Sequence, residues 1–264
     1  MESIEQNPKV IIAGAGPGDV GLLTTKAAKY LDKASYILTD RLVNPAIIQL
    51  YGSPKAEIIY VGKQSGIDST SQESINNLLV EYGKKDGLTV RLKGGDVAFF
   101  SQAISEIEAL NEHHIPYEIV PGITAASGAS ASLKLPLTAR DYSRGVRILT
   151  FQGEDHFTPS DWENMANTSD TLVFYMSSKA LPEIVNSLKR HISKDKPLAI
   201  IEQATTPQQR VLISSLFLYE EELANATIRQ PALVMIGEVI NLYQGVSELH
   251  QNTVSFFKEH QYAG

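Results

Sequence analysis

The chain has 264 residues, 43% of them hydrophobic and 20% charged, a composition that suits one large domain or two α/β lobes. Its formal net charge of −7 argues against general binding to nucleic acid. Because cysteine is absent, disulfides, thiolate metal ligands and cysteine nucleophiles are excluded; no metal site is expected. The N-terminus is polar, and no apolar run approaches the ~20 residues of a membrane helix, so we expect a cytoplasmic protein without membrane contact.

Short β-branched runs alternate with helical patterns along the chain, which is typical of mostly parallel sheets with crossover helices. Strands are predicted at 10–13, 36–38, 58–61, 88–92 and 118–120. A first helix is predicted from the apolar spacing of Ala27, Tyr30, Leu31 and Ala34. A possible capping box of Thr70 and Glu73 precedes a second helix, expected to bury Ile75, Leu78, Leu79 and Tyr82. A third helix is predicted at 102–113.

Pro121 and Gly122 interrupt the pattern near the middle of the chain, so we place a lobe boundary there. Beyond it, a helix of small residues is predicted at 125–132, and strands at 146–151, 172–175, 198–201, 211–214 and 232–236. The prediction is therefore an α/β protein with an N-terminal lobe at 8–120 and a C-terminal lobe at 121–242. The weak periodicity of 243–264 indicates a loosely attached tail.

The first strand runs into a glycine turn at 14–18, which invites a dinucleotide-binding interpretation, with Asp40 placed where a ribose-binding acid would lie. Two details weaken it. The fingerprint requires glycine where this chain has Asp19, and Pro17 lacks a backbone N–H for a pyrophosphate. The turn alone is a weak signal for a nicotinamide enzyme.

A second turn, Gly94-Gly95-Asp96, follows the predicted strand at 88–92. Open α/β sheets bind ligands at the carboxyl ends of their strands, and glycine lets the backbone approach a ligand closely. Asp96 would suit a positively charged ligand such as S-adenosylmethionine, which carries a sulfonium and an ammonium. The structural alternative is a tight turn whose aspartate caps the next helix.

Nine segments carry more information together than either turn alone. They are VIIAGAGPGD (10–19), TDRLV (39–43), YVGK (60–63), VRLKGGD (90–96), VPGITAASGASA (120–131), PLTARDYSRGVR (136–147), TLVFYM (171–176), ATTPQQRV (204–211) and PALVMIGEV (231–239). In order and spacing, over about residues 8–242, this set resembles the uroporphyrinogen-III C-methyltransferases of the tetrapyrrole methylase family. The resemblance implies two α/β lobes with the ligand in the cleft between them, and usually a homodimer.

The resemblance also implies the site residues. S-adenosylmethionine, which leaves as S-adenosylhomocysteine, would contact the residues at nine positions: Pro17, Gly94, Gly95, Asp96, Phe99, Thr124, Ala125, Met176 and Ala204. The proposed proton acceptor of the family falls on Asp40 and the proton donor on Lys63. The alternatives are that Asp40 pairs with Arg41 or caps a turn, that Lys63 is a surface charge, and that Met176 fills the core.

The implied substrate, uroporphyrinogen III, is an octacarboxylate whose electron-rich ring carbon can attack the sulfonium methyl directly. Two such transfers would give precorrin-2, the precursor of sirohaem and corrinoids. Because the whole protein is acidic, its positive charge would have to be local, and arginine forks suit carboxylates. The candidate substrate-binding residues in the motifs are Arg41, Arg91, Lys93, Arg140 and Arg144; Arg147 is equally well explained as an ordinary solvated charge.

The chain departs from the family pattern at 97–106. There the family usually has a loop that begins with proline and contains an arginine and three glycines, whereas this chain has VAFFSQAISE. The loss falls where a substrate would be held, so it bears on the substrate more than on the cofactor. The alternatives are therefore methylation of a later precorrin, or a homologue that binds the cofactor without turnover. An RNA substrate would require a basic surface, which the composition disfavours.

Overall fold

The computed structural model describes residues 8–61, 71–153 and 157–245. The chain divides into two compact units, Met1–Ala125 and Ala126–Gly264, and the described part of each is built on a five-stranded sheet. The predicted α/β class is confirmed. Lys63, Thr70 and all but the first three residues of the predicted tail lie outside the described ranges.

Strands and helices alternate throughout the first unit. Its elements are β1 (Val10–Gly14), a 3₁₀ helix (Val20–Leu22), α1 (Thr25–Lys33), β2 (Tyr36–Thr39), α2 (Pro45–Tyr51), β3 (Glu57–Tyr60), α3 (Gln72–Lys84), β4 (Thr89–Lys93), α4 (Ala103–Glu112) and β5 (Tyr117–Val120). The sheet order is β3-β2-β4-β1-β5, with every neighbouring pair parallel. The carboxyl ends of all five strands therefore lie along one edge, where ligands of such sheets bind.

Helices cover both faces of this sheet, which explains why its central strands are buried throughout. Ile11 and Ala13 of β1 pack with residues of α1 and α2, whereas Val10 and Ile12 pack with residues of α3 and α4. Successive side chains of a strand point to opposite faces, so the two sets enter different clusters. Each helix layer buries the apolar stripe that its spacing predicts.

Helix α3 begins differently from the prediction. Its N-cap is Ser71, whose hydroxyl accepts a hydrogen bond from the backbone N–H of Ser74 at 3.1 Å, so the capping box assigned to Thr70 and Glu73 is wrong. An N-cap side chain accepts a hydrogen bond from the N–H two or three residues further on, and Ser71 does so for this helix. Of the predicted buried positions in α3, Leu78 is only partly buried.

The second unit contains α5 (Ala125–Leu133, which starts at the last residue of the first unit), β6 (Val146–Thr150), α6 (Pro159–Asn167), β7 (Thr171–Tyr175), α7 (Leu181–Lys189), β8 (Pro197–Glu202), β9 (Arg210–Ser215), α8 (Tyr219–Glu222), β10 (Ala232–Ile236) and a 3₁₀ helix (Glu238–Leu242). The sheet order is β6-β7-β10-β8-β9. Its core joins one face of β7, β8 and β10 to the large side chains of α6 and α7.

The prediction of mostly parallel sheets is wrong for the second unit. Only β6 and β7 are parallel, and the other three pairings are antiparallel. The short connection 203–209 between β8 and β9 explains one of them, because a parallel pair needs a crossover of about a dozen residues or more. Among the described helices of both units, none has the length and hydrophobicity to cross a membrane.

Candidate active site

Three glycines bring the carboxyl ends of β1, β4 and β5 into backbone contact. A Cβ added to Gly14 would lie 2.6 Å from the carbonyl oxygen of Gly95 and 2.7 Å from Cα of Gly122. Gly16 and Gly95 also exchange two backbone hydrogen bonds, of 3.0 and 2.8 Å. A side chain at Gly14 or Gly122 would separate the strand ends, so glycine at both positions permits a close junction of three loops at this edge of the first sheet.

The two glycines of the second turn serve different purposes. A Cβ on Gly94 would lie 2.8 Å from Cβ of Leu42, so glycine is needed there for packing. Gly95 has φ +70°, and a Cβ added to it would meet no described atom within 4 Å. The backbone of Gly95 therefore borders open space, as expected of a position that a ligand approaches closely.

Asp96 holds this turn to the end of β5. Its Oδ1 accepts a hydrogen bond from the N–H of Ala98, and its Oδ2 accepts one from the N–H of Gly122, each at 2.7 Å. The next helix along the chain is α4, and its N-cap is Gln102. The alternative in which Asp96 caps the next helix is therefore wrong. The carboxylate instead ties two ligand-side loops together, with 8% of the residue exposed.

The first glycine turn lacks the geometry of a dinucleotide site. Asp19 caps the 3₁₀ helix that follows it, and its Oδ1 accepts a hydrogen bond from the N–H of Gly21 at 2.8 Å. Pro17 is half-buried in the same turn. The turn therefore leads into a short 3₁₀ helix capped by a carboxylate rather than into the long helix whose N-terminus would face a pyrophosphate.

Asp40 directly follows β2, next to β4 in the sheet. Its Oδ2 accepts a hydrogen bond from Nη2 of Arg91 at 3.4 Å, so its ion-pair partner is Arg91 rather than the neighbouring Arg41. The Asp40 side chain is 27% exposed, while its Oδ1 is buried and has no hydrogen-bond partner among the described residues. Arg41 is exposed.

Sequence reasoning missed Glu106, which lies fully buried on α4. Its Oε1 accepts hydrogen bonds from Nε of Arg91 at 3.0 Å and from Nζ of Lys93 at 2.6 Å. We call Asp40, Arg91, Lys93 and Glu106 the charge cluster. Two cations in a buried strand require a buried counter-charge, and that requirement is the one sequence signal that could have led to a residue such as Glu106.

Burial has a direct electrostatic consequence for Lys93. Removal from water and the nearby Arg91 charge lower the pKa of the Lys93 ammonium below 10.5, and Glu106 opposes that change. Arg91 and Lys93 are 2% and 4% exposed. Their charges are directed at Glu106 and Asp40, so these two side chains are poorly placed to bind the carboxylates of a substrate.

Backbone strain marks the corresponding edge of the second sheet. Met176 follows β7 with φ +55°, and Gln203 and Thr205 follow β8 with φ +45° and +67°, on either side of Ala204. Such conformations in residues other than glycine cost about 1–3 kcal/mol each and concentrate at functional sites. Because β7 and β8 are both antiparallel to β10, Met176 and Ala204 lie at the same sheet edge.

Met176 and the start of α5 both lie near the end of β7. Met176 is 50% exposed, so the alternative in which it fills the core is wrong. The hydroxyl of Tyr175 accepts a hydrogen bond from the N–H of Ala126 at 2.8 Å, which fixes the first turn of α5 near the end of β7. Thr124 and Ala125, both partly buried, directly precede Ala126.

Arg140 and Arg144 are exposed and line a cavity of about 820 Å³ formed by residues 138–144 and Ser169. Backbone hydrogen bonds between Ala139 and Ser143 close this loop. Arg147 differs, because it binds Asp170 at 2.8 Å, Thr168 at 2.9 Å and Asn164. Its charge is part of the second unit's own structure.

The loop that departs from the family pattern contains two further positive-φ residues, Phe100 at +51° and Gln102 at +58°. Phe99, a predicted cofactor contact, is 37% exposed in the same loop. Glycine adopts this conformation without strain, so its absence here makes the loop stiffer. Of the candidate site residues, all but Lys63 lie within the described part of the chain.

Comparison with known proteins agrees with this architecture. Residues 9–218 match the family model of the tetrapyrrole (corrin/porphyrin) methylases. The chain belongs to the tetrapyrrole methylase family, as the nine sequence segments predict.

Among curated proteins, the chain is similar to the siroheme synthases of Pseudomonas putida and Hydrogenovibrio crunogenus. It is 42% identical to the first over 240 residues and 41% identical to the second over 249 residues. These alignments cover 90% and 92% of this chain but 52% of each relative. The chain thus spans about half the length of the curated relatives it matches.

Among solved structures, it is similar to the uroporphyrin-III C-methyl transferase of Thermus thermophilus, solved as a complex with S-adenosyl homocysteine. That comparison has a TM-score of 0.74 and 34% identity, and covers 89% of this chain and 100% of the other. A cobalt precorrin-4 methyltransferase shares the fold, with a TM-score of 0.77, 24% identity, and coverage of 88% and 95%.

Proposed function

We propose that this chain is a uroporphyrinogen-III C-methyltransferase, which moves two methyl groups from S-adenosylmethionine to ring carbons and yields precorrin-2. The observation that carries the proposal is the adjacency of two elements at the first sheet edge. Asp40 directly follows β2, and the Gly94-Gly95-Asp96 turn directly follows the neighbouring β4, with Leu42 packed against Gly94. A carboxylate thus stands beside an open, glycine-lined backbone. The full-length similarity to the Thermus enzyme supports the same choice.

S-adenosylmethionine is the methyl donor in this proposal. The open backbone at Gly95 suits close approach of the cofactor, and Asp96 adds negative charge beside it. The strained ends of β7 and β8 are the second group of contacts. The proposed cofactor-binding residues are Pro17, Gly94, Gly95, Asp96, Phe99, Thr124, Ala125, Met176 and Ala204.

The chemistry needs little covalent help from the protein. A ring carbon of the substrate attacks the methyl group, the carbon–sulfur bond of the sulfonium breaks, and S-adenosylhomocysteine leaves. Positioning of carbon, methyl and sulfur in line supplies most of the acceleration. Asp40 would stabilise the positive charge that develops on the pyrrole and then accept the proton that is lost. Lys63 is proposed as the proton donor.

The substrate would be held by exposed cations. Arg41, Arg140 and Arg144 meet that condition, whereas Arg91 and Lys93 belong to the charge cluster and would act on the substrate only through Asp40. We also propose a homodimer, which rests on the family resemblance, and a cytoplasmic location, which rests on the lack of a long apolar run in the sequence.

A second candidate function is methylation of a later precorrin. The loop at 97–106 favours it, because the arginine of the family pattern is replaced by Gln102 in a left-handed conformation. One potential carboxylate contact is therefore absent from this loop. A homologue that binds the cofactor without turnover is the remaining alternative.

The deciding experiment is incubation with uroporphyrinogen III and labelled S-adenosylmethionine, with counting of methyl groups per product. Two methyl groups are expected. Calorimetric titration with S-adenosylhomocysteine accompanies the assay, because cofactor binding without turnover identifies the non-catalytic alternative. Turnover of a later precorrin together with none of uroporphyrinogen III would overturn the proposed substrate.

A further inference from the structure

The charge cluster shows an uneven distribution of contacts around its two cations. Arg91 and Lys93 both point to the face of β4 that carries α4, since Val90 and Leu92, which alternate with them along the strand, pack with α1 and α2. A single oxygen, Oε1 of Glu106, accepts hydrogen bonds from both cations. Central strands of parallel sheets are normally apolar, so this arrangement requires an explanation.

Most hydrogen-bond donors of Arg91 and Lys93 are directed away from Asp40. Arg91 directs Nε to Glu106 and Nη1 to the carbonyl oxygens of Leu38 and Leu92, and only Nη2 reaches Asp40, at 3.4 Å. Lys93 makes its 2.6 Å contact with Glu106. As a result, Oδ1 of Asp40 keeps no hydrogen-bond partner in the described part of the chain.

The charges of the cluster balance as two cations and two carboxylates. Without the charge of Glu106, Asp40 would be the single carboxylate available to both buried cations, and the attraction between them would be strong at such low polarity. The lowered pKa of Lys93 shows that its charge is already disfavoured by burial. A buried ion pair is poor evidence of a stabilising role, which leaves room for a functional one.

We propose that Glu106 is a positioning residue for Asp40. By binding Arg91 and Lys93, it keeps both cations from pairing tightly with Asp40, so that the partly exposed Asp40 carboxylate can accept the substrate proton and become a carboxylic acid. This inference rests on the proposed function, in which Asp40 is the proton acceptor.

The test compares Glu106→Gln in two backgrounds, wild type and Asp40→Asn. In wild type, Glu106→Gln should lower kcat by roughly tenfold or more, with KM and S-adenosylhomocysteine affinity within about twofold. In the Asp40→Asn background the same change should alter kcat by less than about twofold, because its effect passes through Asp40. Equal effects in both backgrounds would overturn the proposal.

A buried ion pair of the second unit provides the matched control. Glu202 is fully buried and binds Arg210 through two hydrogen bonds, of 2.8 and 2.6 Å. Whatever Glu202→Gln does to kcat, it should do by the same factor in wild type and in Asp40→Asn. This comparison separates coupling to Asp40 from a general loss of stability.

A compensating variant tests the charge balance itself. Glu106→Gln combined with Lys93→Met removes one carboxylate and one cation, leaving Arg91 and Asp40. Its kcat should recover toward wild type, by about threefold or more over Glu106→Gln alone. A double variant as slow as the product of the two single effects would contradict the proposal.

A crystal structure of Glu106→Gln distinguishes failure of this inference from failure of the proposed function. If wild type does not methylate uroporphyrinogen III, the proposed function is overturned. The crystal structure of Glu106→Gln then tests by itself whether Glu106 keeps the two cations away from Asp40. We expect Arg91 or Lys93 within hydrogen-bonding distance of Oδ1 of Asp40. Unchanged surroundings of Asp40 would overturn the inference.

Discussion

Asp40 combines partial exposure with a single long contact to Arg91, an arrangement that leaves its charge available. We predict that Asp40→Asn, which keeps the shape and removes the charge, lowers kcat by roughly 100-fold or more. Affinity for S-adenosylhomocysteine should hardly change, because the substitution leaves the Gly94-Gly95 backbone in place. Steady-state kinetics with calorimetric titration checks both parts. Turnover within about threefold of wild type would show that positioning alone drives the transfer.

Gly94 and Gly95 form a matched pair at the same scale. Gly94→Ala places a methyl group 2.8 Å from Leu42, so it should lower the free energy of unfolding by about 1–3 kcal/mol. Gly95→Trp projects into open space, so the protein should fold, although its φ of +70° adds some strain, and S-adenosylhomocysteine binding should be lost. Thermal denaturation and calorimetry separate the two outcomes. A folded Gly95→Trp variant with unchanged affinity would remove this turn from the site.

At the scale of elements, β5 is tied to α1 by a carboxylate. Glu118 accepts hydrogen bonds from Lys26 and, at 2.5 Å, from the hydroxyl of Tyr30. The Lys26 ammonium and the Tyr30 hydroxyl hold the pKa of Glu118 below 4.5. A lowered carboxyl pKa means that the unfolded chain binds the proton first, so this stabilisation is complete above pH 4.5 and is lost as the pH falls further.

The matching prediction uses Glu118→Gln. Its melting temperature should lie below that of wild type at neutral pH, and the difference should shrink as the pH falls through the lowered pKa of Glu118. Differential scanning calorimetry from pH 7 to acid, within the range where both proteins unfold reversibly, measures it. A difference that is constant with pH would show that the contact stabilises by packing rather than by charge.

The sequence predicts the strands of this protein better than its helices. The strands were predictable because short runs rich in β-branched residues and bounded by turn residues indicate strands. Helices α2, α6 and α7 were missed because each has a proline in its first turn, which looks like a breaker. Proline is tolerated there, since the first N–H groups of a helix have no partner within it.

The candidate site divides in the same way. The glycine turns and Asp40 were predictable because they belong to local motifs with fixed spacing. The charge cluster was not, because a lone glutamate on an amphipathic helix normally faces solvent, and only the packing of α4 on β4 buries Glu106. Strand direction in the second sheet is likewise set by pairing between distant segments, which strand patterns do not record.

For the whole molecule, the problem is how a protein of net charge −7 would bind a polyanion. The exposed arginines of the cavity at 138–144 supply positive charge locally while acidic residues elsewhere set the sign of the total. Long-range attraction of the substrate is therefore weak, and binding should depend on short-range contacts with those arginines.

This balance leads to a prediction about salt. The screening length falls from about 10 Å at 0.1 M salt to about 3 Å at 1 M, so exposed arginine–carboxylate contacts weaken while backbone contacts with the cofactor do not. KM for uroporphyrinogen III should rise with salt, and the dissociation constant of S-adenosylhomocysteine should change little. The double variant Arg140→Met/Arg144→Met should raise KM at low salt and flatten its salt dependence. Arg190→Met, an exposed arginine of the same unit that does not line the cavity, should keep the wild-type slope. A KM independent of salt in wild type would mean that the substrate carboxylates stay in solvent, or that the substrate is not a polyanion.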